Sequence, residues 1–445
     1  MNRSKITALT LVIALFPALL AQAQPSDKFN KLNQLVELLE LHDQALGSIH
    51  ISHEGNPVYS RAFGMRGISG SDTLMADTET VYRVGSVTKT FTAVIALQLM
   101  EEGKLSADSK LSQFYPKMPN ADKITVAHLL QHRSGLFNFT NREDFLTYMV
   151  AGKSKDQMLA LFESLNTNFE PGTKYEYSNT GYVLLGYILE DVSGMSYDRL
   201  LKERIIDKIG LKRTHYGKRI DVAANEAQSF AKLENWMMVP ESNLNVPAAA
   251  GAIASTPTDL TRFFEALFAG ELISSESLST MTTLNDNYGY GVFSLPFYDR
   301  SAIGHNGNID GFFASAAYFK DDNLAISYIS NGNGYPGNDV VIAMLSSWYG
   351  RDFALPNFEG AQVSASAMQS FVGDYKNPNV PIVISIIFEN GRLFGQATGQ
   401  PRFPLTAISD NTFTFDQARI TVSFDVAEKK MYFEQAGQEF VFVKE

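Results

Sequence analysis

The run from Val81 to Met100 constrains this chain more than any other stretch. Val81, Tyr82 and Val84 read as an extended segment that Gly85 closes. Apolar Phe91, Val94, Ile95, Leu97 and Met100 then recur at roughly helical spacing, so a helix is expected to open at Ser86. First-turn N–H groups have no partner inside a helix, and the helix dipole favours negative charge there. Lys89 falls one turn up on the same face. A serine hydroxyl needs a base to become a nucleophile, and an amine buried in an apolar wall can be partly neutral. The same four residues also fit a plain helix cap followed by a solvated lysine. Ser-x-x-Lys recurs at Ser229 to Lys232 with no helix-opening context, so the choice rests on the rest of the chain.

Residues 1–23 have the form of a secretory signal. Arg3 and Lys5 precede an apolar run from Ile6 to Leu20, and Ala21-Gln22-Ala23 is a small-x-small cleavage site. The run is short for a membrane span and no charged anchor follows it, so cleavage and export to the periplasm or medium are expected. The chain has no cysteine, which excludes disulfides and a lipid-modified thiol and leaves core burial to carry stability. Its net charge of −11 becomes more negative once Arg3 and Lys5 leave, which argues against nucleic acid or an anionic membrane as the main partner. A hydrophobic content of 45% is ordinary for a globular protein, and the length suggests more than one domain.

Phe29 to Leu46 fits an amphipathic helix through Leu32, Leu35, Val36, Leu39 and Leu41. Ser48 to His53 and Val58 to Ala62 read as a hairpin across Glu54-Gly55-Asn56-Pro57. Gly103 is the expected C-terminal glycine of the Ser86 helix, and a further helix is expected over Ile124 to Leu130. Tyr175 to Tyr182 begins in a loop after Pro171-Gly172 and enters an apolar helix through Leu184, Leu185, Ile188 and Leu189. Tyr177 and Asn179 suit a polar cleft, although packing of Tyr177 and helix capping by Asn179 explain them equally well. The small residues from Ala248 to Ser255 permit close backbone approach. Glycines flanking His305 suggest a strand that something approaches closely. Ala314 to Phe319 and Leu324 to Ile329 read as antiparallel strands, and Val340 to Trp348 as a helix. Residues 351–365 are loop-like and mark a domain boundary. Beyond them the chain is almost entirely β-patterned, with turns at Asn390-Gly391, Asp410-Asn411 and Glu428-Lys429-Lys430, as in a small antiparallel barrel or sandwich.

Ser86-Val87-Thr88-Lys89, Tyr177-Ser178-Asn179 and His305-Asn306-Gly307 together resemble, in order and in context, the three motifs of the class C β-lactamase and penicillin-recognising serine hydrolases. Leu129 to Leu136 and Gly251 to Leu260 are similar to two further signatures of that family. The resemblance covers about residues 28 to 350, and five motifs in register carry it where no single one would. It implies an α+β fold: an antiparallel sheet flanked by helices, a helical subdomain, and a site in the cleft between them. It also implies that Ser86 is the nucleophile, with Lys89 and Tyr177 sharing its proton. Asn179 would bind the substrate amide, His305 would line the cleft on the edge strand beside Gly307, and the N–H groups of Ser86 and Asn308 would form the oxyanion hole. Tyr177 serves as base only if an ammonium such as Lys89 lowers its pKa, or if it passes a proton to a neutral Lys89.

Class C β-lactamases usually carry lysine where this chain has His305, so the resemblance is closer to D-amino-acid peptidases and esterases of the family, since imidazole is mostly neutral near pH 7. The C-terminal segment resembles the lipocalin-like module appended to such members. The expected organisation is a signal over 1–23, a hydrolase domain over 24–350, a linker over 351–365 and a barrel over 366–445. Three functions follow from it: an exported hydrolase of amides or esters, acting on D-residue or peptidoglycan-derived peptides; a true β-lactamase; or a non-catalytic penicillin- or peptide-binding protein. No cofactor is expected. His50 and His53 face opposite sides of a strand, which is poor metal geometry, and Gly332-Asn333-Gly334 leads to no phosphate-binding helix with a lysine.

Overall fold

The computed structural model describes residues 27–358, 360–415, 418–435 and 437–445, and the expected signal segment lies outside them. Helix α1 (Asn30–Leu41) buries Leu32, Leu35, Val36 and Leu39. It stops short of the expected Leu46, because Asp43 takes a positive φ of 54° and turns the chain into strand β1 (Ala45–His53). Ala45 and Leu46 are claimed by the sheet instead, opposite Asn333 and Gly332. Glu54 and Gly55, both at positive φ, then turn β1 into β2 (Asn56–Phe63), the backbone a tight hairpin demands.

The remaining sheet strands are β3 (Phe293–Phe297), β4 (Arg300–Ile309), β5 (Phe312–Phe319) and β6 (Leu324–Asn333). They form one antiparallel sheet of order β3-β4-β5-β6-β1-β2. Sheet residues alternate between two cores, as period-two geometry requires. Ile49, Ile51, Phe319, Ile326 and Tyr328 join α1 and the final sheet helix (Gly337–Tyr349) on one face. Ala314, Ala316 and Ile329 face the larger core, built around the helices Thr88–Glu101, Asn179–Ser193 and Pro257–Phe268. The helix Thr88–Glu101 is buried from Thr88 to Leu99, so it runs through the middle of the molecule and is covered on all sides.

Residues 351–358 are packed down, with Phe353, Leu355 and Phe358 against the α1 side of the sheet. The N–H of Ala361 then joins the carbonyl of Ala407, tying the connection to the next body. That body is a closed eight-stranded antiparallel barrel between Gly373 and Lys444, sealed where Tyr375 and Lys376 pair with Lys444 and Val443. Its interior is a packed core of Tyr375, Ile384, Phe413, Val422, Phe424, Met431 and Phe442. Phe371, from the short helix Ala365–Phe371, stacks on Phe424 at 4.6 Å. Asn390 and Gly391 turn at positive φ between the second and third barrel strands.

Candidate active site

Ser86 lies in a 3-10 turn, Gly85–Val87, that feeds directly into the helix Thr88–Glu101. Gly85 adopts a φ of +50°, and a Cβ there would come within 2.8 Å of the Asn308 carbonyl oxygen. Gly307 is tighter still, since its Cβ would sit 2.0 Å from the Val84 carbonyl oxygen and 2.8 Å from the Ser86 nitrogen. The turn bearing Ser86 and strand β4 therefore meet backbone to backbone, and only glycine permits the approach. β3 is the outermost strand of the sheet, but its register with β4 ends at Gly304. From His305 onward, β4 pairs with β5 alone among the described residues.

Lys89 is completely buried. Its Nζ lies 3.0 Å from Ser86 Oγ, 2.8 Å from Asn179 Oδ1 and 2.7 Å from the Ala250 carbonyl oxygen. Desolvation holds its pKa well below the ordinary lysine value. The small-residue stretch at Ala248–Ala250 lets that carbonyl reach the amine. Tyr177, in the loop before the helix Asn179–Ser193, donates its phenolic hydrogen to Ser86 Oγ across 2.9 Å. The residue as a whole is half-buried, and burial pushes the phenol above its usual value. A lowered phenol pKa, one of the two routes open from sequence, does not arise in this environment.

Asn179 occupies the first position of its helix, and Ser178 is the N-cap. Its Oδ1 receives Lys89, while its Nδ2 donates to Asn138 Oδ1 at 3.2 Å and Thr140 Oγ1 at 3.3 Å. The expected substrate-amide donor is thus already engaged within the protein. His305 needs a larger correction. It is 2% exposed, its Nε2 receives the Tyr288 hydroxyl at 2.9 Å, and its Nδ1 donates to the Asn306 carbonyl. Both ring nitrogens are taken, so the imidazole stands behind Tyr177, at 6.5 Å between ring centroids, and offers no free hydrogen bond to the cleft. Burial and the nearby Lys89 lower its pKa to about 3. Asn308 is exposed beyond it, one residue from the Gly307 contact.

The second Ser-x-x-Lys behaves as its context suggested. Ser229 precedes a short strand, and Lys232 pairs with Asp43 at 2.7 Å. Asn138, Thr140 and Tyr288 escaped the sequence reading, because single polar residues in long loops carry no periodic signal. His132, within the Leu129 to Leu136 signature, belongs to the same cluster. Its ring lies 4.1 Å from that of Tyr177. Among the described residues, no helix is long and apolar enough to cross a membrane.

A serine hydroxyl within hydrogen-bonding reach of both a desolvated amine and a phenol, beside two convergent backbones, is equipped for acyl transfer. The family model described as Beta-lactamase matches residues 37–346. Penicillin-binding protein 4* of Bacillus subtilis (strain 168) is 25% identical over 447 residues, covering 93% of this chain and 98% of that protein. A putative D-alanyl-D-alanine carboxypeptidase of Escherichia coli (strain K12) is 30% identical over 224 residues, 45% of this chain and 51% of that protein. A D-stereospecific amidohydrolase from Streptomyces sp. superposes with a TM-score of 0.63 at 25% identity, over 72% of this chain and 98% of that one. The octameric penicillin-binding protein homologue from Pyrococcus abyssi shares the fold over 93% of this chain and 99% of its own, with a TM-score of 0.66 at 24% identity. Because the family match spans the larger part of the chain and encloses the Ser86 site, the protein belongs to the beta-lactamase family of serine hydrolases.

Proposed function

We propose that the protein hydrolyses an amide or ester bond of D-amino-acid substrates through an acyl-enzyme on Ser86. The carrying observation is the convergence of Lys89 Nζ at 3.0 Å and Tyr177 OH at 2.9 Å on Ser86 Oγ. A neutral Lys89 has two N–H bonds for Asn179 Oδ1 and the Ala250 carbonyl, which leaves its lone pair for the Ser86 proton. As Ser86 Oγ attacks the carbonyl carbon, its proton passes to Lys89. The Tyr177 phenol, still protonated, delivers its own proton to the leaving group and is reprotonated from Lys89. Water then attacks the ester carbonyl by the reverse path and frees the acid. The N–H groups of Ser86 and Asn308 receive the developing oxyanion, each supplying about 2.7–4 kcal/mol by analogy with other such holes.

Similarity to a D-stereospecific amidohydrolase and to a putative D-alanyl-D-alanine carboxypeptidase supports the D-series assignment. The neutral, fully engaged His305 supplies no fixed charge for a β-lactam carboxylate, which favours this reading over a β-lactamase. Removal of residues 1–23 and export to the periplasm complete the proposal, with residues 24–350 forming the hydrolase and 366–445 the barrel. The test is a panel of D- and L-amino-acid p-nitroanilides and p-nitrophenyl esters, with nitrocefin, on wild type and Ser86→Ala. D-selective turnover abolished in Ser86→Ala is expected. Steady nitrocefin turnover exceeding that of the D-anilides would move the assignment to a β-lactamase, and a Ser86→Ala variant with full activity would end it.

A further inference from the structure

We infer that His132 is a positioning residue that aims the Tyr177 phenol at Ser86 by holding the chain on both sides of Tyr177 and supporting its ring. The inference rests on the role proposed above for Tyr177. The His132 carbonyl accepts the N–H of Glu176 at 2.9 Å, and its Nδ1 accepts the N–H of Ser178 at 3.1 Å. These are the residues immediately before and after Tyr177. Between the two anchors, the imidazole lies against the Tyr177 ring at 4.1 Å and 35°. Tyr182 at 5.0 Å and Tyr288 at 4.6 Å enclose its other sides. With the flanking backbone and one ring face fixed, the phenol has little freedom left to swing away from Ser86 Oγ.

Two features show that bulk alone does not account for histidine here. His132 takes a positive φ of 55°, a region uncommon for non-glycine residues in which asparagine, aspartate and histidine are enriched and bulky apolar side chains are strained. Because Nδ1 accepts, the proton sits on Nε2, and that buried Nε2 has no hydrogen-bond partner among the described residues. An apolar side chain would avoid the orphaned N–H but would lose the acceptor for Ser178. The arrangement requires a neutral ring, since a proton on Nδ1 would face the Ser178 N–H. Burial above all keeps the pKa of His132 well below the usual histidine value.

The test is a double-mutant cycle with Tyr177→Phe on a D-amino-acid p-nitroanilide, plus two amide replacements at 132. Asparagine tolerates positive φ and places an oxygen near the Nδ1 position, whereas glutamine carries its oxygen out toward Nε2. His132→Ala is expected to lower kcat about tenfold or more while KM stays within about twofold. His132→Asn is expected to recover most of the loss and His132→Gln little of it, a comparison that holds even if the alanine variant folds poorly. In a Tyr177→Phe background, His132→Ala is expected to cause no further loss of kcat. An equal loss in both backgrounds, or Asn and Gln variants of equal activity, would overturn the positioning role while leaving Tyr177 in place. Full activity in Tyr177→Phe alone would remove the role of Tyr177 itself, and the inference with it.

Discussion

At Gly307 a single methyl group is enough to part Ser86 from the strand that faces it. A Cβ would stand 2.0 Å from the Val84 carbonyl oxygen, and neither backbone has room to retreat within a buried core. Gly307→Ala is therefore expected to destabilise the fold by about 1–3 kcal/mol and to lower kcat by roughly 10²-fold through misplacement of the donors. Urea unfolding and steady-state kinetics check both figures, and unchanged kcat would show that the contact is irrelevant to catalysis. Lys89 makes the complementary point about protonation. Arginine keeps its charge in proteins, so Lys89→Arg is expected to lose about 10²–10⁴ in acylation rate, read as a slowed burst. Ser86, Lys89 and Tyr177 were legible in the sequence only because their motifs fall in register with three others, since each local pattern alone also fits a plain structural role. Asn138 and Tyr288 were not, since their partners Asn179 and His305 arrive from distant parts of the chain.

Among the elements, β1 shows how pairing decides what local periodicity leaves open. Apolar spacing continues past Leu41, but Ala45 and Leu46 gain backbone partners in β6 that a longer helix would forfeit. The same strand buries His50 against Ser60 Oγ at 2.6 Å, with Thr258 Oγ1 at 3.4 Å, and burial lowers its pKa to about 4. His50 is thus neutral in the folded state between its ordinary value of 6.5 and about 4, while the unfolded chain takes up a proton there. Its contribution is fully present above pH 6.5 and is lost as the pH falls toward about 4. A His50→Asn variant, which cannot titrate, is expected to lose less stability than wild type between pH 7 and about pH 4.5, followed by urea midpoints. Identical slopes in the two proteins would refute the assignment. The end of β3 opposite Gly304 was equally invisible in sequence, yet it decides that β4 borders the site.

Across the whole molecule, the hydrolase fold and the barrel bury separate hydrophobic clusters, joined by a connection packed at both ends. Phe424 stacks on Phe371 and meets Phe413 within the barrel alone. Phe424→Ala is expected to cost about 3–5 kcal/mol in the barrel's unfolding while leaving kcat on a small anilide unchanged. Calorimetry alongside activity below the first transition tests this, and a parallel fall in kcat would tie the barrel to the chemistry. The sequence by itself determined the order of the motifs, the run of helical and strand segments, the β-rich C-terminal part and the tight turns, because periodicity and turn chemistry are local. Only the tertiary structure decided the desolvation of Lys89 beside Ser86, the capture of His305 by Tyr288, the grip of His132 on Tyr177 and the closure of the barrel. Each of these depends on desolvation or on contacts between residues far apart in the chain, and neither exists until the chain has folded.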